Sequence, residues 1–593
     1  MSESDKPGKN DSPNPMVMFM AEFKHKDVHR RLNSVKKLSE TALALGTERT
    51  RSELLPFIAM RFHDSEVVMM SLAEELGHFT SLVGGPTFAM HLLPPLEYLA
   101  TAQETVVRGQ AIESLRSVVA EHSVQDLEFH VVPMLLRLAT GDWSTSRSLA
   151  CSLFAICYSR TTKPLIRAEL RTEFRKLCQD PLPMVRRAAA SQLAEFAKVV
   201  EVEYLRTDIV QNFVLLAHDN QDSVCLLIVE AAVSIARLLS QNELEVLIFP
   251  TVRQFTCGVS WRVRYTMAQH MADMEKAMGP AMTRKHLVPA FQSLLKDSEV
   301  EVRAAATSTL QSFCAQLHKD DQEQIILESF LPYIRDLVLD ENPHIKSTLA
   351  TVIMCLSPIL GAYHTREQLL PLILTLVKDE CPSVRMNILA NLDCTTDVIG
   401  IQQMSESMLP ALIVLARDTT WRVRLSVIRY MPALARERGQ VFFDQNLRDI
   451  SMGWLNDCVY AIREAGVWNM KKIVDIFGAP WAVQSIVPKI LTMAGNGSYF
   501  YRMTCLFCVK ALAEVCGMDI ITNLMLPTVL QLADDPVANV RFNVAKTLQK
   551  IAPILDACVI VDKVKPTLDK LKGDKDSDVK YFAAEAILAI GGV

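Results

Sequence analysis

Apolar positions along the chain recur three and four residues apart, which is the spacing of one face of an α-helix. The stretch 366–392 is representative, and its first apolar set consists of Leu369, Leu370, Ile373, Leu376 and Val377. Helix-breaking residues interrupt the pattern at 380–382. Ser383 is a candidate cap for a second helix, and one face of that helix carries Val384, Ile388 and Leu392. The pattern predicts a unit of two helices, A and B, joined by a tight turn.

This two-helix unit repeats in a constant register. Its marker is an apolar residue, a basic residue, two free positions and a small or apolar residue. The basic position, here called the basic slot, recurs about every 39 residues, with one longer interval between Arg303 and Lys346. It falls at Arg31, Met70, Arg108, Arg147, Arg186, Cys225, Arg264, Arg303, Lys346, Arg385, Arg424, Arg463, Arg502, Arg541 and Lys580.

Two further markers keep the same register. A proline lies 14 residues before many slots, at Pro56, Pro94, Pro133, Pro250, Pro289, Pro332, Pro371, Pro410, Pro488, Pro527 and Pro566. An aspartate lies six residues before many slots, at Asp64, Asp180, Asp219, Asp297, Asp340, Asp379, Asp418, Asp457, Asp535 and Asp574. Since one helix pair cannot bury its apolar faces alone, successive pairs must stack. The period and the proline predict an all-α fold, a curved, horseshoe-shaped α-solenoid of about 15 HEAT repeats of about 39 residues.

The aspartates and basic slots predict a ladder of charges along one ridge. Each aspartate can accept hydrogen bonds from the N–H groups that open helix B, and it can pair with the basic residue of its own or of a neighbouring repeat. The predicted ladder residues are Asp180, Arg186, Asp297, Arg303, Asp379, Arg385, Asp418, Arg424, Asp457, Arg463, Asp535 and Arg541. Met70 and Cys225 interrupt the ladder. The four extra residues between Arg303 and Lys346 are expected to lengthen helix B of repeat eight or the loop after it.

Composition narrows the class of protein further. Half of the 593 residues are hydrophobic and 7% are aromatic, which excludes global disorder and favours helix over sheet. The net charge of −5 disfavours nucleic-acid binding, and no apolar run is expected to reach the length that a membrane span needs. The polar residues 1–15 predict a disordered tail rather than a secretory signal. The 14 cysteines lie within stretches whose apolar spacing predicts helix. We therefore expect reduced thiols and a cytoplasmic, also nuclear, protein.

The sequence contains no recognisable catalytic motif. Phosphate-binding loops, HExxH and GxSxG are all missing from the sequence. Cys505 and Cys508 form a lone CxxC without further ligands nearby, so core packing is the favoured interpretation over a zinc site. We therefore expect a protein that is not an enzyme and that has no metal and no cofactor.

Large side chains at one turn position are the candidate binding residues. Three residues before the basic slot, most repeats carry a small or polar residue, but some carry Trp261, Trp421, Tyr460 or Tyr499, with Phe500 adjacent to the last. Pro183 takes the same position in repeat five. Tryptophan next to arginine is typical of interface anchors, although each ring could instead fold back onto its own repeat.

Long stretches of the sequence resemble one family, the scaffold (A, 65-kDa regulatory) subunits of protein serine/threonine phosphatase type 2A. The resemblance covers roughly 20–593, and its segments include RLNSVKKL at 31–38, PMVRRAAAS at 183–191, SWRVRY at 260–265, RMTCLFC at 502–508 and DPVANVRFNVAK at 535–546. It implies a heterotrimer in which fifteen HEAT repeats carry a phosphatase catalytic subunit and an exchangeable B-type regulatory subunit.

The resemblance also implies which residues bind which partner. Repeats 11–15, residues 404–593, would hold the catalytic subunit through Trp421, Arg422, Tyr460, Tyr499, Phe500, Pro536 and Val537. Residues 16–403 would form repeats 1–10, of which mainly repeats 1–8 hold the regulatory subunit through Pro183, Arg187 and Trp261. Thr420 and Cys225 stand where the family has basic residues, which leaves one contact and one ladder position in question.

Two other classes stay open at the level of sequence. A HEAT-repeat adaptor of nuclear transport or trafficking would be expected to have longer acidic loops or more variable repeats. A nucleic-acid-binding solenoid would need a basic concave face, against which the net acidic charge argues.

Overall fold

The computed structural model describes residues 14–59 and 64–590, and every regular element in these ranges is helical. The elements form successive pairs of A and B helices in the predicted register. The B helices are Val28–Lys36, Glu66–Gly77, Thr105–Glu121, Ser144–Arg160, Pro183–Val199, Asp222–Ala236, Trp261–Met282, Val300–Gln316, Pro343–His364, Pro382–Ala390 with Leu392–Ile399, Trp421–Asn446, Tyr460–Phe477, Tyr499–Cys516, Ala538–Ile551 and Ser577–Ile590.

The A helices are shorter and more irregular than the B helices. Their main α-helical segments are Pro15–Phe23, Leu55–Ala59, Leu93–Ala100, Val132–Ala139, Pro164–Cys178, Val210–Ala217, Phe249–Cys257, Val288–Leu295, Leu331–Val338, Leu370–Leu376, Ile401–Leu415, Arg448–Trp454, Val487–Thr492, Leu526–Gln531 and Lys565–Lys572. The chain is thus an α-solenoid of HEAT repeats, with fifteen such pairs over the described residues. The predicted tail, 1–15, lies outside the described residues except for its end, where Pro15 opens the first helix.

A turn of π-helix precedes the proline in many A helices. Leu127–Val131, Leu244–Ile248 and Ile521–Met525 are examples, and Pro133, Pro250 and Pro527 follow two residues later. Proline has no N–H to donate to the carbonyl four residues before it, and the wider π turn can give that carbonyl another donor. Repeat six has the same π turn, Leu205–Ile209, with Gln211 at the proline position, so the proline is not required for it.

Glycines with positive φ join helix B to the next helix A in several repeats. Gly361, Gly400, Gly439, Gly478 and Gly517 have φ between 72° and 88° and recur at the period of the basic slot. This region of backbone conformation is strained for residues with a Cβ, so glycine reverses the chain here at little cost. The glycine marker was not among the features predicted from the sequence, although its constant spacing is visible there.

The core lies between helices of neighbouring repeats. B helices pack on successive B helices, as Ser144–Arg160 does on Pro183–Val199. Phe154, Phe174 and Phe196 are fully or almost fully buried there, and the ring centroids of Phe174 and Phe196 lie 4.5 Å apart. Contacts within one repeat, such as Phe174 with Phe196, and between repeats, such as Phe154 with Phe174 at 5.3 Å, thus both bury large side chains.

Two compact units divide the chain after Leu317. The first contains repeats one to eight, and the second, from His318, contains repeats nine to fifteen. This division does not coincide with the boundary at 403 and 404 that the resemblance implies for the two binding arms. That boundary concerns partner binding and stays a prediction.

Two local predictions were wrong. Ser383 does not cap helix B of repeat ten, because Pro382 already occupies its first turn and Cys381 is the cap residue. The four extra residues after Arg303 lengthen neither helix B of repeat eight nor a loop. They lie in the opening segment of helix A of repeat nine, Lys319–Ile325, where repeats six and seven have three-residue segments.

One apolar stretch is longer than expected from the sequence. Pro343–Leu376 has the length and mean hydropathy, 1.6, of a membrane-spanning helix, and 56% of its most apolar window is buried. It consists of helix B of repeat nine and helix A of repeat ten, and the chain reverses between them at Gly361. Helix Pro343–His364 packs against Pro382–Ala390, as expected of a core helix.

Candidate partner-binding ridge

Arginines at the basic slot join the A-to-B turns of consecutive repeats. Arg186 donates through Nε and Nη2 to both carboxylate oxygens of Asp219 in the next repeat, at 2.5 and 3.0 Å. Its Nη1 donates to the carbonyl oxygens of Asp180 and Pro181 in its own turn, at 2.8 and 3.2 Å. One guanidinium therefore holds two turns side by side.

The same pairing recurs in both units, always from a basic slot to the aspartate of the next repeat. The pairs are Arg31–Asp64, Arg147–Asp180, Arg186–Asp219, Arg264–Asp297, Lys346–Asp379, Arg385–Asp418, Arg424–Asp457, Arg502–Asp535 and Arg541–Asp574. The sequence left two possibilities for the aspartate, and the structure selects the basic residue of the preceding repeat. Within each unit these ladder pairs align the turns into a ridge.

Each ladder aspartate also organises the turn that contains it. Asp457 Oδ1 accepts a hydrogen bond from the backbone N–H of Val459 at 2.8 Å, just before helix B begins at Tyr460. Hydrogen bonds from Arg541 lower the pKa of Asp574 to about 2, so this carboxylate is charged at neutral pH. The remaining predicted ladder residue of repeat eight, Arg303, donates to the carbonyl oxygens of Asp297 and Ser298.

At two places in the ladder, both the basic residue and the aspartate that would pair with it are replaced. Cys225 replaces the arginine in repeat six, and Gly258 stands where the next repeat would have the matching aspartate. Cys225 Sγ instead donates to the carbonyl oxygen of Asp219 at 3.3 Å. Likewise, Met70 is matched by Ala102. Neither break therefore leaves a ladder aspartate without its arginine.

Trp261 and Trp421 are the first residues of their B helices and are half-buried. The guanidinium of Arg262 lies 4.7 Å from the ring centroid of Trp261, and that of Arg422 lies 4.6 Å from Trp421. Such pairs attract through the ring's quadrupole. Each tryptophan thus keeps part of its ring accessible beside an exposed cation.

Repeats twelve and thirteen bring two aromatic rings, Tyr460 and Phe500, beside one arginine, and a third ring, Tyr499, packs on Phe500. Tyr460 and Phe500 are 53% and 45% exposed, and the rings of Tyr499 and Phe500 are 4.1 Å apart. The guanidinium of Arg463 lies 5.7 Å from the Tyr460 ring and 5.3 Å from the Phe500 ring. Asn496 stands where the next repeat would have the aspartate for Arg463, so these rings take the place of a charged ladder partner.

The other predicted binding residues also lie on the ridge. Pro183 opens helix B of repeat five and is exposed, as is Arg187 one turn later. Pro536 is exposed in the turn of repeat fourteen, and Val537 occupies the N-cap position of the following helix. Thr420 caps the helix that begins at Trp421, and its N–H donates to Asp418 Oδ1 at 2.8 Å.

Three exposed apolar residues in the turns of the first unit were not among the predicted binding residues. Val259 is fully exposed, Trp143 is 78% exposed and Met184 is 50% exposed. Trp143 and Val259 lie one and two residues before the turn position that Trp261 and Trp421 occupy. A search across the whole turn would have found them.

The cysteines of the CxxC pair lie in the core. Cys505 and Cys508 are buried, and burial raises the pKa of Cys505 to about 12. Within residues 14–59 and 64–590, no three His, Cys, Asp or Glu side chains are grouped so that they could hold a metal ion.

Comparisons with known proteins agree with this architecture. Residues 280–361 match a family model described as PPP2R1A-like HEAT repeat, and residues 170–200 and 525–555 match the HEAT repeat model. The "Serine/threonine-protein phosphatase PP2A 65 kDa regulatory subunit" of Drosophila melanogaster is 64% identical over 368 residues, 62% of each chain. Over these stretches the chain is similar to PP2A 65 kDa regulatory subunits.

Further PP2A regulatory subunits match over similar or shorter stretches. The beta isoform of the 65 kDa regulatory subunit from Homo sapiens is 56% identical over 358 residues, 60% of this chain and 59% of the human one. The PP2A regulatory subunit of Schizosaccharomyces pombe is 41% identical over 271 residues, 46% of each chain. The matched stretches thus span less than two thirds of these relatives.

Solved structures support the fold alone. A crystal structure of Kap121p bound to Ste12p has a TM-score of 0.60 at 12% identity and covers 97% of this chain and 64% of that one. A crystal structure of Kap121p has a TM-score of 0.58 at 13% identity, over 92% and 57% of the two chains.

Proposed function

We propose that this chain is a non-catalytic scaffold that joins a serine/threonine phosphatase catalytic subunit to an exchangeable B-type regulatory subunit. The observation that carries the proposal is the ridge itself. Largely buried Arg–Asp pairs hold its turns in place, while aromatic rings beside those pairs stay partly accessible. A rigid backbone with accessible aromatic side chains is suited to protein binding.

The two proposed binding sets lie in different compact units. Pro183, Arg187 and Trp261 belong to the first unit and would contact the regulatory subunit, mainly through repeats one to eight. Trp421, Arg422, Tyr460, Tyr499, Phe500, Pro536 and Val537 belong to the second unit and would contact the catalytic subunit through repeats 11–15. Separate surfaces would let regulatory subunits exchange while the phosphatase stays bound.

The proposed mechanism is tethering without chemistry. A phosphoprotein recruited by the regulatory subunit would reach the phosphatase at a raised effective concentration, because both are attached to one chain. The scaffold would contribute no catalytic group of its own and no metal or cofactor. A cytoplasmic and nuclear location fits this role and stays a prediction.

Reconstitution from purified proteins tests the proposal. The full chain is mixed with a PP2A catalytic subunit, with a B-type subunit, or with both, and the mixtures are resolved by size-exclusion chromatography. We expect two binary complexes and one ternary complex, with dephosphorylation of phosphopeptides only where the catalytic subunit is present. Failure of the catalytic subunit to co-elute, or phosphatase activity of the chain alone, would refute the proposed role.

A further inference from the structure

A groove of about 460 Å³ lies between the B helices of repeats eleven and twelve. Its walls are helices Trp421–Asn446 and Tyr460–Phe477, which pack against each other within the second unit. Leu425, Ile428 and Ala465 form part of its apolar lining. The volume is in the range of pockets that bind ligands. The groove runs along the helices away from the turns, so it is separate from the turn residues considered above.

An unpartnered amide lies in the wall of this groove. Asn469 is 3% exposed, and neither its Oδ1 nor its Nδ2 has a hydrogen-bond partner among the described residues. A buried amide without hydrogen-bond partners is unfavourable, because it has lost its bonds to water and gained none in return. A bound molecule with a donor and an acceptor, such as a peptide backbone, would satisfy it.

A second polar group of the groove is a backbone carbonyl that a proline in the opposite helix leaves without its usual donor. Pro432 lies inside Trp421–Asn446 and has no N–H, so the carbonyl of Ile428 lacks its usual helical donor. Both residues line the groove. This carbonyl belongs to one wall of the groove and the Asn469 amide to the other.

The groove also carries cations that the ladder does not use. Arg429 and Lys472 are exposed and line it from opposite helices, against a single carboxylate, that of Glu464. Glu464 lies towards the turn, where it accepts a hydrogen bond from the hydroxyl of Tyr460. Among the lining residues the cations thus outnumber the carboxylates by two to one, although the whole chain has a net charge of −5.

Trp468 provides an apolar surface between these polar groups. Its side chain is 55% exposed, and the ammonium of Lys471 lies 5.4 Å from the ring centroid. Lys471 forms an ion pair with Glu514 in the next repeat, which keeps it beside the ring. An exposed tryptophan next to a groove is a composition typical of binding hot spots.

We propose that this groove binds a short, extended, acidic peptide segment of a partner protein. Arg429 and Lys472 bind carboxylates of the segment, Trp468 contacts a large apolar side chain between them, and Asn469 bonds its backbone. Charge complementarity selects an acidic segment over a basic one, and the two backbone-type partners select a peptide over a purely apolar molecule. Peptide binding in the groove does not depend on the scaffold function proposed above.

The test is fluorescence anisotropy with the full chain and a synthetic fluorescein-labelled peptide, in which one leucine is flanked by two glutamates on each side. We expect saturable binding that weakens as salt is added. Arg429→Glu and Trp468→Ser should each reduce the affinity at least about tenfold. Both positions are exposed, so circular dichroism should show unchanged helix content. Lys472→Glu provides a second charge reversal in the groove.

Matched controls lie outside the groove. Arg253→Glu reverses an exposed charge on helix Phe249–Cys257, and Trp143→Ser removes a 78% exposed ring in the first unit. Both should bind the peptide within about twofold of the parent chain. Equal losses in controls and groove variants, unchanged binding in the groove variants, or no saturable binding would overturn the proposal. Self-association that Trp468→Ser abolishes would assign the groove to a second copy of the chain and overturn it as well.

Discussion

Arg424 and Trp421 lie three residues apart in the first turn of one helix, and their side chains have different surroundings. Arg424 is 8% exposed and donates to the carbonyl oxygen of Asp418 in its own turn and to Asp457 in the next repeat. Trp421 is half-buried and contacts the exposed Arg422. Because its hydrogen bonds join two repeats, the arginine stabilises the fold, whereas the ring has area left for a partner.

The matched tryptophans lead to a reciprocal prediction. Trp421→Ala should weaken binding of the catalytic subunit and spare direct binding of a B-type subunit, and Trp261→Ala should do the reverse for at least some B-type subunits. Loss of a buried interface tryptophan costs about 2–4 kcal/mol, or roughly 30- to 1000-fold in affinity. Surface plasmon resonance with each partner measures the effect.

Thermal unfolding distinguishes binding from packing for these two residues. Each ring contributes a cation–π pair worth about 0.5–1 kcal/mol at an exposed site, so the Tm should stay near the parent value. A variant that unfolds and loses both partners equally would show that its ring packs within the scaffold instead.

Glu275 is a buried carboxyl group that was not singled out from the sequence. It is 6% exposed on helix Trp261–Met282, and its Oε2 has no hydrogen-bond partner among the described residues. Burial raises the pKa of Glu275 to about 8. The folded protein therefore holds this proton at neutral pH, whereas the unfolded chain releases it above about pH 4.5.

Because the pKa of Glu275 is higher in the folded than in the unfolded state, we predict that the protein loses stability as pH rises. Since the unfolded state binds fewer protons between about pH 4.5 and 8, the free energy of unfolding falls across that window. The Glu275→Gln variant lacks this ionisable group. Its free energy of unfolding, relative to that of the parent, should therefore increase by on the order of 2–4 kcal/mol from pH 5 to pH 8. Urea unfolding at both pH values measures it.

Glu301→Gln is the matched control for this prediction. Glu301 is exposed on the adjacent B helix, Val300–Gln316, so the same substitution there should leave the pH profile parallel to that of the parent. Parallel profiles for Glu275→Gln as well would mean that this carboxyl is ionised in the folded state.

At the scale of elements, the junction from helix B to the next helix A depends on glycine. Gly439 has φ 78° and joins two helical segments of Trp421–Asn446, and a Cβ built there would meet no atom within 4 Å. The requirement is thus one of backbone conformation rather than of space. The recurrence of such glycines at the repeat period in the second unit indicates that each junction needs the same reversal.

Substituting alanine at two glycines, one at positive φ and one inside a helix, distinguishes the effect of backbone conformation from that of side-chain packing. Gly439→Ala should reduce the free energy of unfolding by about 1–2 kcal/mol, because an L-residue is strained at positive φ. Gly109→Ala, inside helix Thr105–Glu121 with no atom within 4 Å of a built Cβ, should instead increase it by about 0.5–1 kcal/mol. Urea unfolding followed by circular dichroism compares the two, and equal effects of the same sign would contradict the argument.

At the scale of the whole molecule, stability comes from contacts between neighbouring repeats. Each ladder pair joins only adjacent turns, and B helices pack on the B helix of the next repeat, as Pro183–Val199 does on Asp222–Ala236. The stability of such an array is approximately a sum of repeat terms and neighbour terms. A block of repeats should therefore fold without the remainder of the chain.

Truncation tests this modularity together with the proposed partner map. A chain of residues 1–400 ends at the junction glycine Gly400 and retains repeats one to ten, with only the last ladder pair, Arg385–Asp418, broken. It should show a helical circular dichroism spectrum, bind a B-type subunit and fail to bind the catalytic subunit. Retained binding of the catalytic subunit would place its interface in the first ten repeats.

The repeat architecture was predictable from sequence because it is local and periodic. The helical apolar spacing, the basic slot and the aspartate are all set within one repeat, and their recurrence along the chain established the register. The ridge position of Trp261, Trp421 and Tyr460 followed from the same register, because a fixed distance from the slot places a residue at the start of helix B.

Tertiary structure decided what depends on contacts between repeats. Whether Asp219 pairs with a residue of its own repeat or with Arg186 depends on how neighbouring turns lie, and one repeat does not encode that. Burial of Glu275 and the groove beside Trp468 likewise arise only when two B helices meet. The sequence by itself determined the helices and their order, since local periodicity sets these. Packing between residues from different repeats determined which charges are paired, which are buried and which surfaces stay open to a partner.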